Sequence, residues 1–336
     1  MMEQSYSRWQ KLMERAKREN WGMLPSPPDE RDWPLSRIAV PVALPRSVRL
    51  DSLIYRIKDQ GQCGTCVGKA VSSATETGYK QKKKLPKEGL SSLFIYARAK
   101  QEDGIPDVQG TYPRVALKIA QKEGTVPESI FPYVLLRDCN KPPIPSESIQ
   151  AHAEYKIKAY ARLWTLEEIK QALASGKIVV GGILVTNSFV DWNGQNTISV
   201  PEGIILGAHA VVFCGYDDER KAIRGVNSWG LQWGDKGFFW LSYDFFSWQS
   251  DIGMAGLLEA WAVEFEEILQ PPQKIELWID RPIAIVNGAE VMIDPANPKV
   301  VPKIIEGRTM LPARFIAESL GKKVSWASKE RKVTIE

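Results

Sequence analysis

Gln60-Gly61-Gln62-Cys63-Gly64-Thr65-Cys66-Val67-Gly68-Lys69-Ala70 is the stretch whose reading decides the fold. Turn-forming residues lead straight into a helix-compatible segment, so a helix is expected to start near Cys66 and run to about Tyr79. The short lysine run Lys80 to Lys84 then falls at its C-terminal end, where cations suit the helix dipole. Cys66 sits at or near the N-terminus, where unpaired N–H groups and the dipole favour a thiolate over a thiol. A thiolate is the nucleophilic form. Three other readings compete on this segment alone. Cys63 and Cys66 form a Cys-x-x-Cys pair, which suits redox chemistry, but nothing around them suggests a thioredoxin-like βαβ unit. They would make half a zinc site, but no second Cys/His pair follows at metal spacing. Cys66 could also be plain core.

A second segment bears on that choice. Gly207-Ala208-His209-Ala210-Val211-Val212 places a histidine inside an apolar strand. A lone His there is commonly a satisfied core residue. The chain holds only two histidines, however, and His152 lies in polar surroundings between Gln150 and Glu154, so a Cys–His mechanism points to His209. A third segment, Val226-Asn227-Ser228-Trp229-Gly230, offers an amide able to accept from an imidazole N–H and fix its tautomer. Trp229 beside it would shield that bond from water. The alternative is a Trp-rich turn with a structural Asn.

Working outward, 336 residues fit one large domain plus something smaller, and 44% hydrophobic with 25% charged residues is ordinary for a soluble globular chain. The net charge of only +4 comes without a broad basic face or recognition motif, which argues against nucleic-acid binding. No stretch approaches the roughly 18 apolar residues that span a bilayer. The N-terminus lacks an apolar signal core, so the default expectation is cytoplasmic. Residues 3 to 20 read as a surface helix, because Tyr6, Trp9, Met13 and Ala16 recur at spacings of three or four. A Pro-rich arm follows, from Pro25 to Pro45. Further helices are expected from Pro113 to before Gly124 and over Leu166 to Ser175. Strands are expected over Lys177 to Val185, Ala208 to Tyr216, Lys221 to Asn227, Gly237 to Ser242 and Glu259 to Phe265. Helices first and strands later imply an α+β domain of two segregated halves. Gln270-Pro271-Pro272-Gln273 reads as a linker. Beyond it, 274 to 336 reads as a separate unit, with a hairpin turn at Asn287-Gly288, a helix over Pro312 to Leu320, and a closing hairpin of Val324 and Trp326 with Val333 and Ile335.

The three segments together resemble the papain-like cysteine peptidase family, in its bacterial type, over roughly residues 43 to 265. His209 follows Cys66 by 143 positions (209 − 66) and Asn227 by 161 (227 − 66), close to the family's spacing. Leu44-Pro45-Arg46-Ser47-Val48-Arg49-Leu50, Asp59-Gln60-Gly61, Gly110-Thr111-Tyr112-Pro113, Phe131-Pro132-Tyr133 and Gly215-Tyr216 match further landmarks. The resemblance implies a two-lobed fold, with a helical lobe and a β-barrel-like lobe, and hydrolysis of peptide bonds without metal or organic cofactor. It implies Cys66 as nucleophile, His209 as base, Asn227 as the group orienting that base, and Gln60 as an oxyanion donor. Gly110 and Thr111 would line the substrate cleft, and the segment from Asp251 to Leu258 is a candidate pocket wall. A thiolate–imidazolium pair is expected at rest. A papain-like transpeptidase or amidase, or a catalytically silent binding protein, are the rival readings. Val67 and Thr65 depart from the family's usual residues, and Gly110-Thr111 replaces a Gly-Gly pair. The usual disulfide partners of Cys63 and Cys139 are absent, so all four cysteines, Cys214 included as a small buried hydrophobe, are expected to be unbridged. A Cys63–Cys139 bridge is the main alternative. Residues 1 to 42 are expected to act as a pro-segment over the cleft.

The run from Gly307 to Gly321, with Val324-Ser325-Trp326 and Lys332-Val333-Thr334-Ile335, resembles the copper amine oxidase N-terminal-like domain. That resemblance implies an accessory module with an extracellular or cell-envelope setting, against the default above. No His or Cys follows Cys214, so soft or imidazole ligands for copper are missing. The module is expected to bind or anchor, to cell-envelope material or to itself through an unpaired edge. Arg308 and Arg314 are candidate ligand contacts, with a structural role in a turn and on a helix as the alternative.

Overall fold

The computed structural model describes residues 22–37, 44–265 apart from 140 and 251–252, 275–319 apart from 287–288, 324–328 and 330–335, together with the single positions 14, 39 and 42. The expected helix at 3 to 20 lies outside the described residues save for Glu14, as do the linker at 270–273 and the Asn287-Gly288 turn. The chain divides into two compact units, residues 1–266 and 267–336.

Three helices come first: α1 (Cys66–Gln81), α2 (Ser92–Glu102) and α3 (Pro113–Lys122). Their starts follow local chemistry. The Ser91 hydroxyl accepts the Phe94 N–H at 3.0 Å and caps α2. Pro113 opens α3, where a missing N–H costs nothing. Helix α1 has no side-chain cap, and the Thr65 hydroxyl at its cap position sits instead 2.6 Å from the Tyr133 hydroxyl. Val67, Val71 and Ala74 of α1 bury against Ile95 and Ala99 of α2 and Ala116 and Leu117 of α3. A fourth helix, α4 (Leu166–Ala174), begins with a capping box between Thr165 and Glu168.

The second half is a seven-stranded antiparallel sheet of β1 (Ser47–Arg49), β2 (Ala159–Leu163), β3 (Val179–Thr186), β4 (Ile205–Asp217), β5 (Ala222–Val226), β6 (Phe238–Ser242) and β7 (Leu257–Glu264). Its order is β2-β7-β3-β4-β5-β6, with β1 paired to the far end of β4. Alternation assigns the two faces. Val180 and Leu184 of β3 with Ala208, Ala210 and Val212 of β4 join the core that contains α1. Val179, Ile183, Val185, Val211 and Phe213 join a second core with Ile169, Ala172 and Leu173 of α4. Every position of β3 is buried, because the strand is central and covered on both faces. The helix-first, sheet-second arrangement is the expected α+β fold.

The second unit holds a three-stranded sheet of β8 (Ile275–Leu277), β9 (Ile283–Val286) and β10 (Ala289–Met292) in the order β10-β9-β8. It also holds two hairpins, β11 (Lys303–Ile305) with β12 (Arg308–Met310) and β13 (Val324–Ala327) with β14 (Lys332–Ile335), and one helix, α5 (Ala313–Ser319). Trp326 faces Val333 and Val324 faces Ile335 across the last hairpin. Arg308 lies on β12 rather than in a turn, and Arg314 lies on α5 with Glu318 at 3.4 Å, both exposed.

Candidate active site

Helix α1 packs its N-terminal end against β4, and the thiol of Cys66, its first residue, lies against the backbone N–H of Ala210, one position past His209. His209 sits mid-strand opposite Ile183 of β3. Its Nε2 lies 2.7 Å from Oδ1 of Asn227, the first residue after β5. That oxygen also accepts the Ser228 N–H at 2.7 Å, so it is an acceptor twice over and His209 Nε2 is the donor. Nδ1 is thereby left as the basic nitrogen. The Trp229 ring lies 4.7 Å from the imidazole and Phe189 lies 6.4 Å away, a lid that keeps water from the amide–imidazole bond. Cys66, His209 and Asn227 are all buried.

Gln60 is held at both ends of its amide. Its Oε1 accepts from the Ser228 hydroxyl at 2.8 Å, and its Nε2 donates to the Cys63 carbonyl at 2.9 Å, leaving one N–H free. Its backbone N–H donates to Ser228 O at 2.9 Å, and its carbonyl accepts from the Tyr133 hydroxyl at 2.8 Å. Sequence reasoning missed Ser228 and gave Tyr133 no role. The Ser228 hydroxyl adjoins Asn227 in the quoted motif, which was a usable signal; Tyr133 acts across a separation of 73 residues and gave none.

The cysteines correct one expectation. Cys63 and Cys139 form a disulfide, while Cys66 and Cys214 are free and buried. The chain after Tyr133 returns to the loop before α1 and brings the two Cα atoms within 5.1 Å, inside the range a bridge requires. That proximity across 76 positions follows from tertiary structure and has no local signature.

The N-terminal arm crosses this site. Met23 forms a parallel bridge with Thr111, and Leu24 N–H donates to Thr111 O at 3.1 Å. A Cβ on Gly22 would lie 3.2 Å from Cys66 Sγ and 3.1 Å from Gly64 Cα, so a larger residue fits there only if these neighbours give way by a few tenths of an ångström. Gly182 plays the matching part below, since a Cβ there would stand 2.4 Å from Met23 Cε. Both Met23 and Leu24 are fully buried. Further along, Ser26 N–H donates to Glu259 at 3.0 Å, and Asp32 meets Arg114 at 2.6 Å. Of the expected cleft residues, Thr111 therefore lines the arm, while Gly110 beside it donates its N–H to the Tyr96 hydroxyl at 3.2 Å. A pocket of about 270 Å³ stays open beside His209, Trp229 and Gln60. A larger one of about 320 Å³ lies further along the arm, between Pro25–Pro28 and Arg162, and takes Ala255, Leu257 and Leu258 from the expected pocket wall.

Under the arm both reacting groups are desolvated. Burial pushes the Cys66 thiol up to about 12, against the pull of nearby backbone N–H groups. Burial pushes the His209 imidazole down to about 4, with the Asn227 bond opposing. No hydrogen bond joins the two side chains among the described residues. Burial under the arm thus disfavours charge on both groups, the opposite pull to that needed for the expected thiolate–imidazolium pair.

Comparison with known proteins agrees with this geometry. Residues 45–256 match the papain family cysteine protease family, and residues 267–335 match the copper amine oxidase N-terminal domain. The second match does not bring copper chemistry with it, because no His or Cys follows Cys214 to supply the donors. An uncharacterised peptidase C1-like protein of Acanthamoeba polyphaga mimivirus is 30% identical over 204 residues, 56% of this chain and 64% of that protein. Peptidase 1 of Euroglyphus maynei is 28% identical over 207 residues, 59% of this chain and 60% of that protein. The chain thus spans somewhat under two thirds of these curated relatives. Among solved structures, xylellain, a cysteine protease from Xylella fastidiosa, aligns with a TM-score of 0.62 and 29% identity over 74% of this chain and 97% of its own. The bromelain protease of Ananas comosus shares the fold, at a TM-score of 0.53 and 23% identity over 66% of this chain and 100% of its own. With Cys66 heading a helix against the strand of His209, and with more than half its length matched, the chain belongs to the papain family of cysteine proteases.

Proposed function

We propose that the protein is a cysteine peptidase that hydrolyses peptide bonds by acyl transfer through Cys66, His209, Asn227 and Gln60. One observation carries the reading: the bond from His209 Nε2 to Asn227 Oδ1, beside a helix that begins at Cys66. It fixes the tautomer and leaves Nδ1 to exchange a proton with the thiol. The Cys66 thiolate attacks the scissile carbonyl carbon and forms a thioester. The Cys66 N–H, unpaired at the helix start, and the free N–H of Gln60 take the oxyanion. His209 hands its proton to the leaving amine as the C–N bond breaks. It then takes a proton from water, which cleaves the thioester and frees the acid. In the test, a peptidyl alkylating probe is added and the labelled residue is mapped by mass spectrometry. Label on Cys66, with loss of peptide turnover in Cys66→Ala, is expected. Turnover that survives Cys66→Ala would refute the reading.

Residues 1 to 42 act, on this reading, as a pro-segment. Support comes from Gly22 against the thiol and from the Met23 bridge to Thr111. Removing residues 1–40 should raise turnover of a small peptide, and no rise in a folded protein would sink the idea. The second unit is proposed as a non-catalytic module that binds envelope material or a second copy.

A further inference from the structure

Lys69 is an unusual residue to find beneath an active site. It lies three positions after Cys66 on α1, is only 4% exposed, and meets no carboxylate at ion-pair distance among the described residues. Its Nζ instead stands 3.1 Å above the centre of the Tyr133 ring. Tyr133 is not a passive neighbour. Its hydroxyl donates to Gln60 O at 2.8 Å, so the 2.6 Å contact with Thr65 has the Thr65 hydroxyl as donor. One phenol thus ties the backbone of the oxyanion glutamine to the residue before the nucleophile. The ring itself is held from below by the ammonium.

We propose that Lys69 is a charge-dependent positioning residue, whose ammonium pins the Tyr133 ring and so holds Gln60 and Thr65 in the geometry that acyl transfer needs. The proposal rests on the Cys66 acyl-transfer reading and adds a control on it. A cation over an aromatic face is held by the ring quadrupole, most strongly when both are desolvated, and a neutral amine is not. Four charged groups surround Lys69. Lys58 pairs with Glu76 at 2.8 Å, Arg56 reaches Glu128 at 3.5 Å, Glu128 accepts the Tyr133 N–H at 2.8 Å, and Asp59 accepts the Gly61 N–H at 2.8 Å. Both carboxylates thus have partners of their own. Burial, and after it Lys58, push the Lys69 ammonium down from its ordinary value to about 7. The sign follows. Below neutral pH Lys69 is charged and the ring is pinned. As pH rises past about 7 the proton leaves and the clamp weakens.

Two rates measured on the full chain between pH 5 and 9 test this. One is kcat/KM for a small peptide amide, and the other is the alkylation rate of Cys66 by iodoacetamide. Both need an open cleft and a thiolate, but only the first passes through an oxyanion. Their quotient cancels arm closure and thiolate fraction but not the His209 proton that only amide turnover needs, so each quotient is divided by that of Lys69→Arg, charged throughout, in which His209 titrates alike. The wild-type ratio should fall about fivefold as pH rises through neutrality. Lys69→Met should give a low, flat ratio with alkylation unchanged. Tyr133→Phe, which keeps the ring but loses the hydroxyl, should lower it as well, and the double variant should fall no further. A wild-type ratio independent of pH overturns the proposal. So does a Lys69→Met ratio equal to wild type below neutral pH, where wild-type Lys69 is charged. Absence of Cys66 alkylation or of amide turnover in the wild type instead overturns the underlying acyl-transfer reading, and this proposal with it.

Discussion

Cys66, His209 and Asn227 lie next to turn signals in the chain, and this is why they stood out as candidates, whereas Gln60 came from the family resemblance alone. A cysteine at a helix start, a histidine alone in an apolar strand and an asparagine before a Trp-Gly turn each carry local chemistry. Tyr133 and Lys69 were not legible, because their contacts span 73 and 64 (133 − 69) positions, whereas Ser228, bonded to Gln60 across 168 positions, was signalled only by its place beside Asn227. Two predictions belong at this scale. Gln60→Ala should keep the fold and Cys66 alkylation but lose about two to three orders of magnitude in kcat, as expected for one oxyanion donor. A change under about threefold would mean another group fills that place. Ser228→Ala frees the Gln60 amide at one end, a loss of about 1 kcal/mol, so kcat should fall about fivefold with KM little changed. Steady-state kinetics separate these outcomes from misfolding, which lowers active-site titre instead.

Element boundaries followed from capping and periodicity to within about two residues for α1, α3 and α4 and to within three for β3 to β7, while α2, β1 and β2 were not expected. The arm was legible as Pro-rich and extended, but not its register. Only the folded cleft shows that Gly22 is the residue that sits over the thiol. Met23 packs over Gly182, and if this holds the arm closed, Met23→Ala should weaken closure by about 2 kcal/mol. In the full chain, turnover of a small peptide should therefore rise, by up to about thirtyfold if closure limits activity. An unchanged rate would show that Met23 does not hold the arm. The arm also carries a pH dependence through His209. Under the arm its pKa is about 4, below the ordinary 6.5, so the covered state binds fewer protons in that window. Falling pH from about 6.5 toward 4 must then favour release, by at most about tenfold per unit. Asp32 works the other way, since burial raises its pKa in the covered state. Limited proteolysis of the arm at pH 7, 6 and 5 should show faster cleavage at the lower values. Slower cleavage would place the control in Asp32.

Two units of unequal character make up the molecule. The first buries an extensive core, whereas the hairpins of the second leave Ile304, Ile305, Met310, Trp326, Val333 and Ile335 exposed. A chain ending at Gln270 should hydrolyse a small peptide at nearly the full rate, while sedimentation should show weaker self-association. Loss of turnover in that folded truncation would mean that the second unit helps build the site. The Cys63–Cys139 bridge has one more consequence. It makes the whole helical lobe a covalent ring, with Cys66, α1, α2, α3 and Tyr133 all inside it. For a protein proposed to cut peptide bonds at high local concentration of its own kind, that ring is a safeguard. A single nick anywhere between residues 63 and 139, for example at the exposed turn of Pro106 and Asp107, opens the ring but sheds nothing. Such a molecule would run as one band on a gel without reductant and as two with it, and the nucleophile would stay joined to the loop that holds its oxyanion donor.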